Sequence, residues 1–289
     1  MKYLILQYMN KERSQETLFY KYRVIDKNTK NLIQNNEFCF SSPVNYNDPF
    51  DSAFWIHIEG TKEEWEWFTG VSGNELQDIL KFGLKNTRRN TYVPPDKCDK
   101  LSKDYPLRDT FLPQTLCLSR KNDSILMWAH YASNHQGICL SFKADYFEEN
   151  LGFYFDSEFL PLYKVKYTRK LPGPVNLITM GMNENIINFF INKYSDWKYE
   201  EEWRLLLFPQ NVRWKQTRTM RKFRKEALEG IIFGLYTSKK DVKSTYKLIN
   251  KNYLEIGYNV NFYICKWIKG KYAIKPEKID SIEDYISSI

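Results

Sequence analysis

Histidine is scarce in this chain: three in 289 residues, His57, His130 and His135. Long apolar runs are missing as well, and no stretch approaches the roughly 20 residues a membrane-spanning helix needs. The opening MKYLILQYMNKERSQ has a short apolar run and no small-residue cleavage site, which argues against a secretory leader. The five cysteines (Cys39, Cys98, Cys117, Cys139, Cys265) are odd in number, scattered and without a CxxC pair. That pattern excludes a zinc ribbon and argues against a disulfide framework. Cys39 and Cys139 sit between apolar neighbours and are expected as small core hydrophobes. A reducing cytoplasm is the simplest compartment. Twelve glycines and eleven prolines are too few for a low-complexity chain.

What is present is aromatic and basic. Tyr (21), Phe (19) and Trp (8) make up 17% of the chain, and hydrophobic residues 43%, enough for a substantial core. Lys and Arg outnumber Asp and Glu by 43 to 35, a formal charge of +8. That excess fits a nucleic-acid or nucleotide partner, and equally a lysine-rich solvated surface.

The pattern predicts one α+β domain over residues 1–289, with central mixed or antiparallel sheets flanked by helices. Strands are expected at 18–24, 37–42, 114–119, 137–142, 160–167, 202–208 and 229–235. A terminal hairpin is expected from 260–268 and 271–279. Helices are expected at 26–36 (capped by Asp26 or Asn28), in two pieces within 62–86, at 124–133 (capped by Asp123), at 183–197, and at 238–253 (capped by Ser238). Segment 86–114, polar and containing YVPPDK, reads as a mobile insertion or lid.

Four segments carry candidate chemistry. MWAHYASNHQG (127–137) brings His130, Tyr131 and His135 together. The two histidines are five residues apart, about 140° around a helix, so they do not form a shared metal pair, and no metal is expected. WKYEEEWRLLLF (197–208) sets Glu200, Glu202 and Arg204 on one strand face by alternation, with Trp203, Leu205 and Leu207 on the other. This is either a structural Glu–Arg pair or a carboxylate held by Arg204 to orient a hydroxyl or activate a nucleophile. FSSPVNYNDPFD (40–51) supplies Ser42, Asn47 and Asp48 as turn caps or as donors to a ribose or phosphate. RWKQTRTMRKFRK (213–225) offers Arg213, Trp214, Lys215, Arg218, Arg221 and Arg224 for phosphate contact and base stacking, or as solvated charge.

Together these segments resemble the bacterial domain-of-unknown-function family 2971. The matching pieces are Lys21-Tyr22-Arg23, the FSSP-x-x-Y-NDPFD loop (40–51), Cys117–Ser119, Met127–Gly137, VKY (165–167), W-x-YE-x-EWR (197–204) and IIFG (231–234). The resemblance spans most of 18–275. A looser likeness is to the ADP-ribosyltransferase fold, through Tyr22-Arg23, Asn31-Leu32-Ile33 and Glu200-Glu201-Glu202. It implies NAD as cofactor, bound by Tyr22, Arg23, Ser42, Asn47, Asp48, His135 and Arg204. It also implies Glu202 as the catalytic acid, assisted by Glu200, His130 and Tyr131.

Three functions stay open from the sequence. The first is an ADP-ribosyltransferase-like toxin or defence effector that modifies a nucleic acid or protein. The second is a nuclease-like toxin working through His130, His135 and Glu200. The third is a non-catalytic nucleic-acid-binding or sensor domain with a partner or antitoxin protein. No membrane partner is expected.

Overall fold

The computed structural model describes residues 17–43, 46–48, 50–52, 54–57, 61, 63, 67, 91–93, 113–172, 175–176, 187–208 and 218–288, with 54–57, 91–93 and 175–176 described by backbone alone. In chain order the elements are β1 (Leu18–Arg23), α1 (Lys27–Asn35), β2 (Glu37–Ser41), β3 (Phe54–His57), β4 (Thr91–Val93), β5 (Gln114–Ser119) and α2 (Ile125–Tyr131). Then come β6 (Ile138–Lys143), β7 (Asp145–Phe147), β8 (Asn150–Phe155), β9 (Glu158–Lys164), β10 (Lys166–Thr168), β11 (Val175–Asn176), α3 (Ile187–Phe190) and β12 (Asn192–Tyr194). A 3-10 turn (Ser195–Glu200) leads into β13 (Glu202–Leu207), β14 (Arg218–Lys222), β15 (Leu228–Phe233), α4 (Lys239–Asn252), β16 (Asn261–Trp267), β17 (Ile274–Lys278) and α5 (Ile282–Ser288).

The α+β class read from the sequence is the one observed. Among the described residues a 12-stranded sheet runs β17-β16-β15-β6-β1-β5-β13-β9-β8-β7, with β2 and β14 branching from β5. All its ladders are antiparallel except β15–β16. Period-two alternation gives the sheet two apolar faces. On one face Phe19, Phe38, Leu140, Phe142, Leu205 and Phe233 pack with Leu32 and Ile33 of α1, and Val242 and Ile249 of α4. On the other, Tyr22, Cys139, Ile232 and Cys265 pack with Met127 and Trp128 of α2. Asp26 caps α1 by accepting from Thr29 N at 2.8 Å, and Ser238 caps α4 through Asp241 N at 3.1 Å.

The sheet divides at β5. One edge of β5 pairs with β13 along its whole length, from Glu202↔Ser119 to Leu207↔Gln114. The other edge is shared: β1 meets it only at Tyr20↔Ser119 and β2 only at Ser41↔Thr115. Between those pairs the Lys21 ammonium donates to the Cys117 carbonyl at 2.7 Å, replacing the missing strand partner. A cleft opens at this parting of β1 and β2.

Several expectations need correction. Of the helix expected over 183–197, the described part (187–197) holds a single turn, α3, followed by β12 and the 3-10 turn. Ile191 and Lys193 are buried on either side of a half-buried Asn192, a strand period, and β12 pairs in parallel with β10. The strand expected over 160–167 is two. The chain changes partners at Val165, whose N–H bonds the Glu202 carbonyl, while Lys166 N–H bonds Ile191. The cap of α2 is Ser124, accepting from Met127 N, and not Asp123. Cys39 is exposed and is no core residue, because alternation along β2 turns Phe38 and Phe40 inward. Most of 62–86 and 86–114, with Cys98, lies outside the described residues.

Candidate functional site

Two turns set the geometry of the cleft. Trp128, wholly buried in α2, donates its indole N–H to the Asn122 carbonyl at 2.9 Å and meets the Tyr22 ring edge-on at 5.1 Å. Tyr131 follows three residues later, on the same helix face. After the helix, Ser133, Asn134 and His135 all take left-handed backbone (φ 49, 52 and 66°). That run is held by Gly137 N–H on the Ala132 carbonyl at 2.8 Å and His135 N–H on the Trp128 carbonyl at 3.2 Å. A side chain at Gly137 would lie 2.3 Å from the Arg23 carbonyl, so only glycine admits this close approach to β1.

The second turn is Ser195–Glu200. It ends at Glu201 in left-handed conformation (φ 42°), and Ser119 Oγ donates to the Glu200 carbonyl at 2.6 Å. Glu200 is therefore not on the strand face with Glu202 and Arg204, as alternation had suggested. The reversal at Glu201 nevertheless brings its carboxylate back beside Glu202.

The result is a buried ionic cluster. Arg204, with no exposed surface, donates to Asp51 Oδ1 at 2.7 Å and Oδ2 at 2.6 Å, and to Glu202 Oε1 at 2.7 Å and Oε2 at 3.1 Å. Lys193 Nζ reaches Glu200 at 2.6 Å, Glu202 at 3.0 Å and Asp51 at 3.5 Å. One ammonium thus sits among three carboxylates, where a cation would otherwise be needed. Glu202 N–H donates to the Tyr167 hydroxyl at 2.8 Å. Tyr131 Oη donates to Glu200 Oε1 at 2.5 Å and accepts from Asn47 Nδ2 at 3.2 Å.

The two glutamates are electrostatically unlike. Burial alone would raise the Glu202 carboxyl, but Arg204 and Lys193 outweigh it and hold the group well below the carboxylate range. For Glu200 burial wins over Lys193, and its affinity for protons is raised. Burial likewise raises Tyr131, helped by the Glu200 charge, so the phenol stays a donor. Burial pushes the Cys117 thiol up to about 12, and that thiol lies 3.3 Å from the Tyr46 hydroxyl. Arg204 and Lys193 thus favour the charged form of Glu202, while Glu200 is the carboxyl of the pair whose proton affinity is raised.

Above the cluster lies a cavity of about 190 Å³ at the parting of the sheet. Tyr20, Lys21 and Tyr22 of β1, Cys117–Ser119 of β5, Tyr46, Asn47 and Asp51 of the polar loop, and Met127, Tyr131, Lys193, Glu200 and Glu202 line it. Of the residues proposed from the sequence, the structure brings Tyr22, Asn47, Tyr131, Glu200 and Glu202 to this wall, with Arg204 bonded behind Glu202. Others sit elsewhere. Arg23 bonds Thr29 Oγ1 at 3.1 Å at the start of α1. Asp48 caps its own turn through Phe50 N at 2.9 Å. His135 lies between Trp128 and Tyr236, burial lowers its proton affinity, and its Nδ1 is buried without a partner. His130 is exposed, its ring 6.1 Å from that of Tyr199. Ser42 is half-buried and not among the lining residues. Arg221 pairs with Glu158 at 2.6 Å, Arg224 lies 4.0 Å over the Tyr154 ring, and Arg218 is exposed. Arg213, Trp214 and Lys215 lie outside the described residues.

Sequence reasoning missed Lys21, Asp51 and Lys193. Lys193 carried a signal, a single lysine alternating with apolar Ile191 in a stretch free of helix caps. Asp51 ends the FSSPVNYNDPFD loop and had been given no role.

Residues 127–205, from α2 into β13, match the family model described as Protein of unknown function (DUF2971). Over these residues the chain is similar to that family. No curated protein and no solved structure matches the chain. The DUF2971 match contains Tyr131, Lys193, Glu200, Glu202 and Arg204, so most of the ionic cluster falls inside it. Among the described residues no helix is long and apolar enough to cross a membrane.

Proposed function

We propose that the protein is an ADP-ribosyltransferase-like enzyme whose cleft takes the nicotinamide-ribose end of NAD. One observation carries the reading: two buried carboxyls line a tyrosine-walled cavity, Glu200 bonded to Tyr131 and Lys193, and Glu202 bonded to Arg204 and Lys193. The cavity volume suits a nicotinamide and its ribose, with the rest of the dinucleotide extending outward. Tyr20, Tyr22, Tyr46 and Tyr131 offer ring faces to the nicotinamide.

The reaction is substitution at the ribose C1′. The bond from C1′ to the nicotinamide nitrogen breaks, and its electron pair leaves with nicotinamide. An acceptor oxygen or nitrogen bonds to C1′, and its proton passes to Glu200. The buried carboxylates stabilise the positive charge that develops on the sugar. Tyr131 and Asn47 position the Glu200 carboxyl, and Arg204 positions Glu202. The nuclease reading finds less support, because His130 and His135 meet different partners and neither lines the cavity with Glu200.

Release of nicotinamide from NAD, followed by chromatography, tests the proposal. The wild-type chain should release it, and Glu200→Gln should be slower by about 100-fold or more, the scale of a lost acid–base group. Unchanged release by Glu200→Gln would remove Glu200 from the chemistry. RNA or DNA degradation without NAD, abolished by His130→Ala, would replace the proposal with the nuclease.

A further inference from the structure

Helix α4 packs one side against the sheet and turns lysines outward. At about 100° per residue, the buried Val242, Thr245 and Ile249 share an arc of about 60°. Lys239, Lys243, Lys247 and Lys251 recur every fourth residue and, with Lys240, fill an arc of about 120° on the opposite side. All five are exposed. Among the described residues none of the five pairs with a carboxylate. The one acid of α4, Asp241, lies outside that arc and accepts from Ser238 Oγ at 2.7 Å within the cap. Just beyond the helix, Glu255 accepts from Asn250 Nδ2 at 2.7 Å. Lys225 makes a contrast. Its ammonium donates to the Asn252 carbonyl at 2.9 Å and lies 5.3 Å over the Tyr253 ring, so the fold itself uses that charge to close the end of α4.

The helix gains nothing from the lysine pattern. Like charges four residues apart repel, and lysines in the first turn oppose the positive end of the helix dipole. We propose that this face docks on the phosphate backbone of double-stranded DNA without reading its sequence. Four residues advance an α-helix by about 6 Å, so one ammonium per step runs along about 18 Å. Consecutive phosphates of one DNA strand stand about 7 Å apart, and the flexible lysine stems absorb the difference. A regular row of single positive charges thus meets a regular row of single negative ones. Bases find nothing to stack on here, which favours a duplex over a single strand. The one aromatic residue of α4, Tyr246, sets its ring 5.9 Å from that of Phe262 and its hydroxyl on Glu283. A membrane surface is disfavoured because Val242 and Ile249, which would have to enter it, are packed in the core. No residue of α4 lines the cleft, so DNA docking goes beyond the transferase reading and does not rest on it.

The test is fluorescence anisotropy with two labelled DNA duplexes of about 20 base pairs and unrelated sequence, titrated at several salt concentrations without NAD. Both should bind alike. Five phosphate contacts give a salt slope of about −4.5, a loss of about 500-fold in affinity between about 50 and 200 mM salt. Lys243→Gln/Lys247→Gln should flatten the slope to about −2.7, a loss of about 40-fold over the same range. Lys243→Arg/Lys247→Arg should keep the wild-type slope, and Lys269→Gln/Lys271→Gln, in the β16–β17 turn, should bind like wild type. Circular dichroism melts check that each variant is folded. No duplex binding near 50 mM salt, or an unchanged slope in Lys243→Gln/Lys247→Gln, overturns the proposal. So does capture of wild type, but not of that variant, by phosphatidylserine vesicles when no DNA binds, which would mark the face as a membrane contact. Lys243→Gln/Lys247→Gln should release nicotinamide at the wild-type rate, since the pair lies off the cleft. DNA binding without any nicotinamide release would remove the transferase reading and leave the DNA face standing.

Discussion

Replacing Arg204 with methionine isolates what the ionic cluster does for the fold. Methionine fills much of the volume of the arginine stem and adds no polar atom. It removes two bonds to Asp51, two to Glu202, the bond to the Phe190 carbonyl at 2.8 Å and the bond to Ser52 Oγ at 3.3 Å. Lys193 is then the one cation paired with Asp51 and Glu202 among the described residues, and both carboxylates are buried. Removing one partner of a buried pair costs about 3–5 kcal/mol, because the other charge stays buried. Against a total stability of about 5–15 kcal/mol that is a large fraction. The pH dependence follows from the sign of the shift. Glu202 titrates below its ordinary 4.5 in the folded chain, so its stabilisation is complete above that value and is lost as pH falls toward the folded-state pKa. Without Arg204 the carboxyl is no longer held low, and less remains to lose. Urea denaturation followed by circular dichroism should show the full penalty near pH 7 and a smaller one near pH 3. A penalty below about 1 kcal/mol at neutral pH, or one equal at both pH values, would refute the reasoning.

Two further outcomes follow from the same geometry. Glu200→Gln should leave stability within about 1 kcal/mol of wild type at neutral pH, since burial already disfavours its charge. Glu202→Gln should cost several times as much, and thermal melts of the pair that reversed this order would contradict the assignment of roles. Gly137→Ala, whose added carbon meets the Arg23 carbonyl at 2.3 Å, should cost about 1–3 kcal/mol in urea denaturation. It should also weaken NAD binding by shifting α2 and Tyr131, and a variant as stable as wild type would show that the α2–β1 approach is not constrained.

Much of the sheet could be read from alternation. β1 and β13 follow it, β6 and β15 were legible as short apolar runs, and α1 and α4 announce themselves through Asp26 and Ser238. Glu202 and Arg204 were legible as a strand-face pair for the same reason. Three things were not. The division of the sheet at β5 depends on two partners sharing one edge, which no local pattern encodes. The return of Glu200 depends on one left-handed residue, Glu201, within an acidic run that reads as continuous strand. Lys193 lay in a stretch whose apolar residues also fit a helix, and tertiary pairing with β10 decided otherwise. The histidines stood out by rarity. His135 serves packing between Trp128 and Tyr236, and His130 is exposed, so scarcity in the composition pointed to the right segment and to the wrong side chains within it: Tyr131 is the one that lines the cavity.

The most direct measurement is a crystal structure of the protein soaked with NAD. The account predicts density for the nicotinamide ribose in the recess between β1 and β5, its hydroxyls within hydrogen-bonding distance of Glu200 and its ring against the tyrosine wall. Dinucleotide density anywhere else on the molecule, with that recess holding only water, would contradict it.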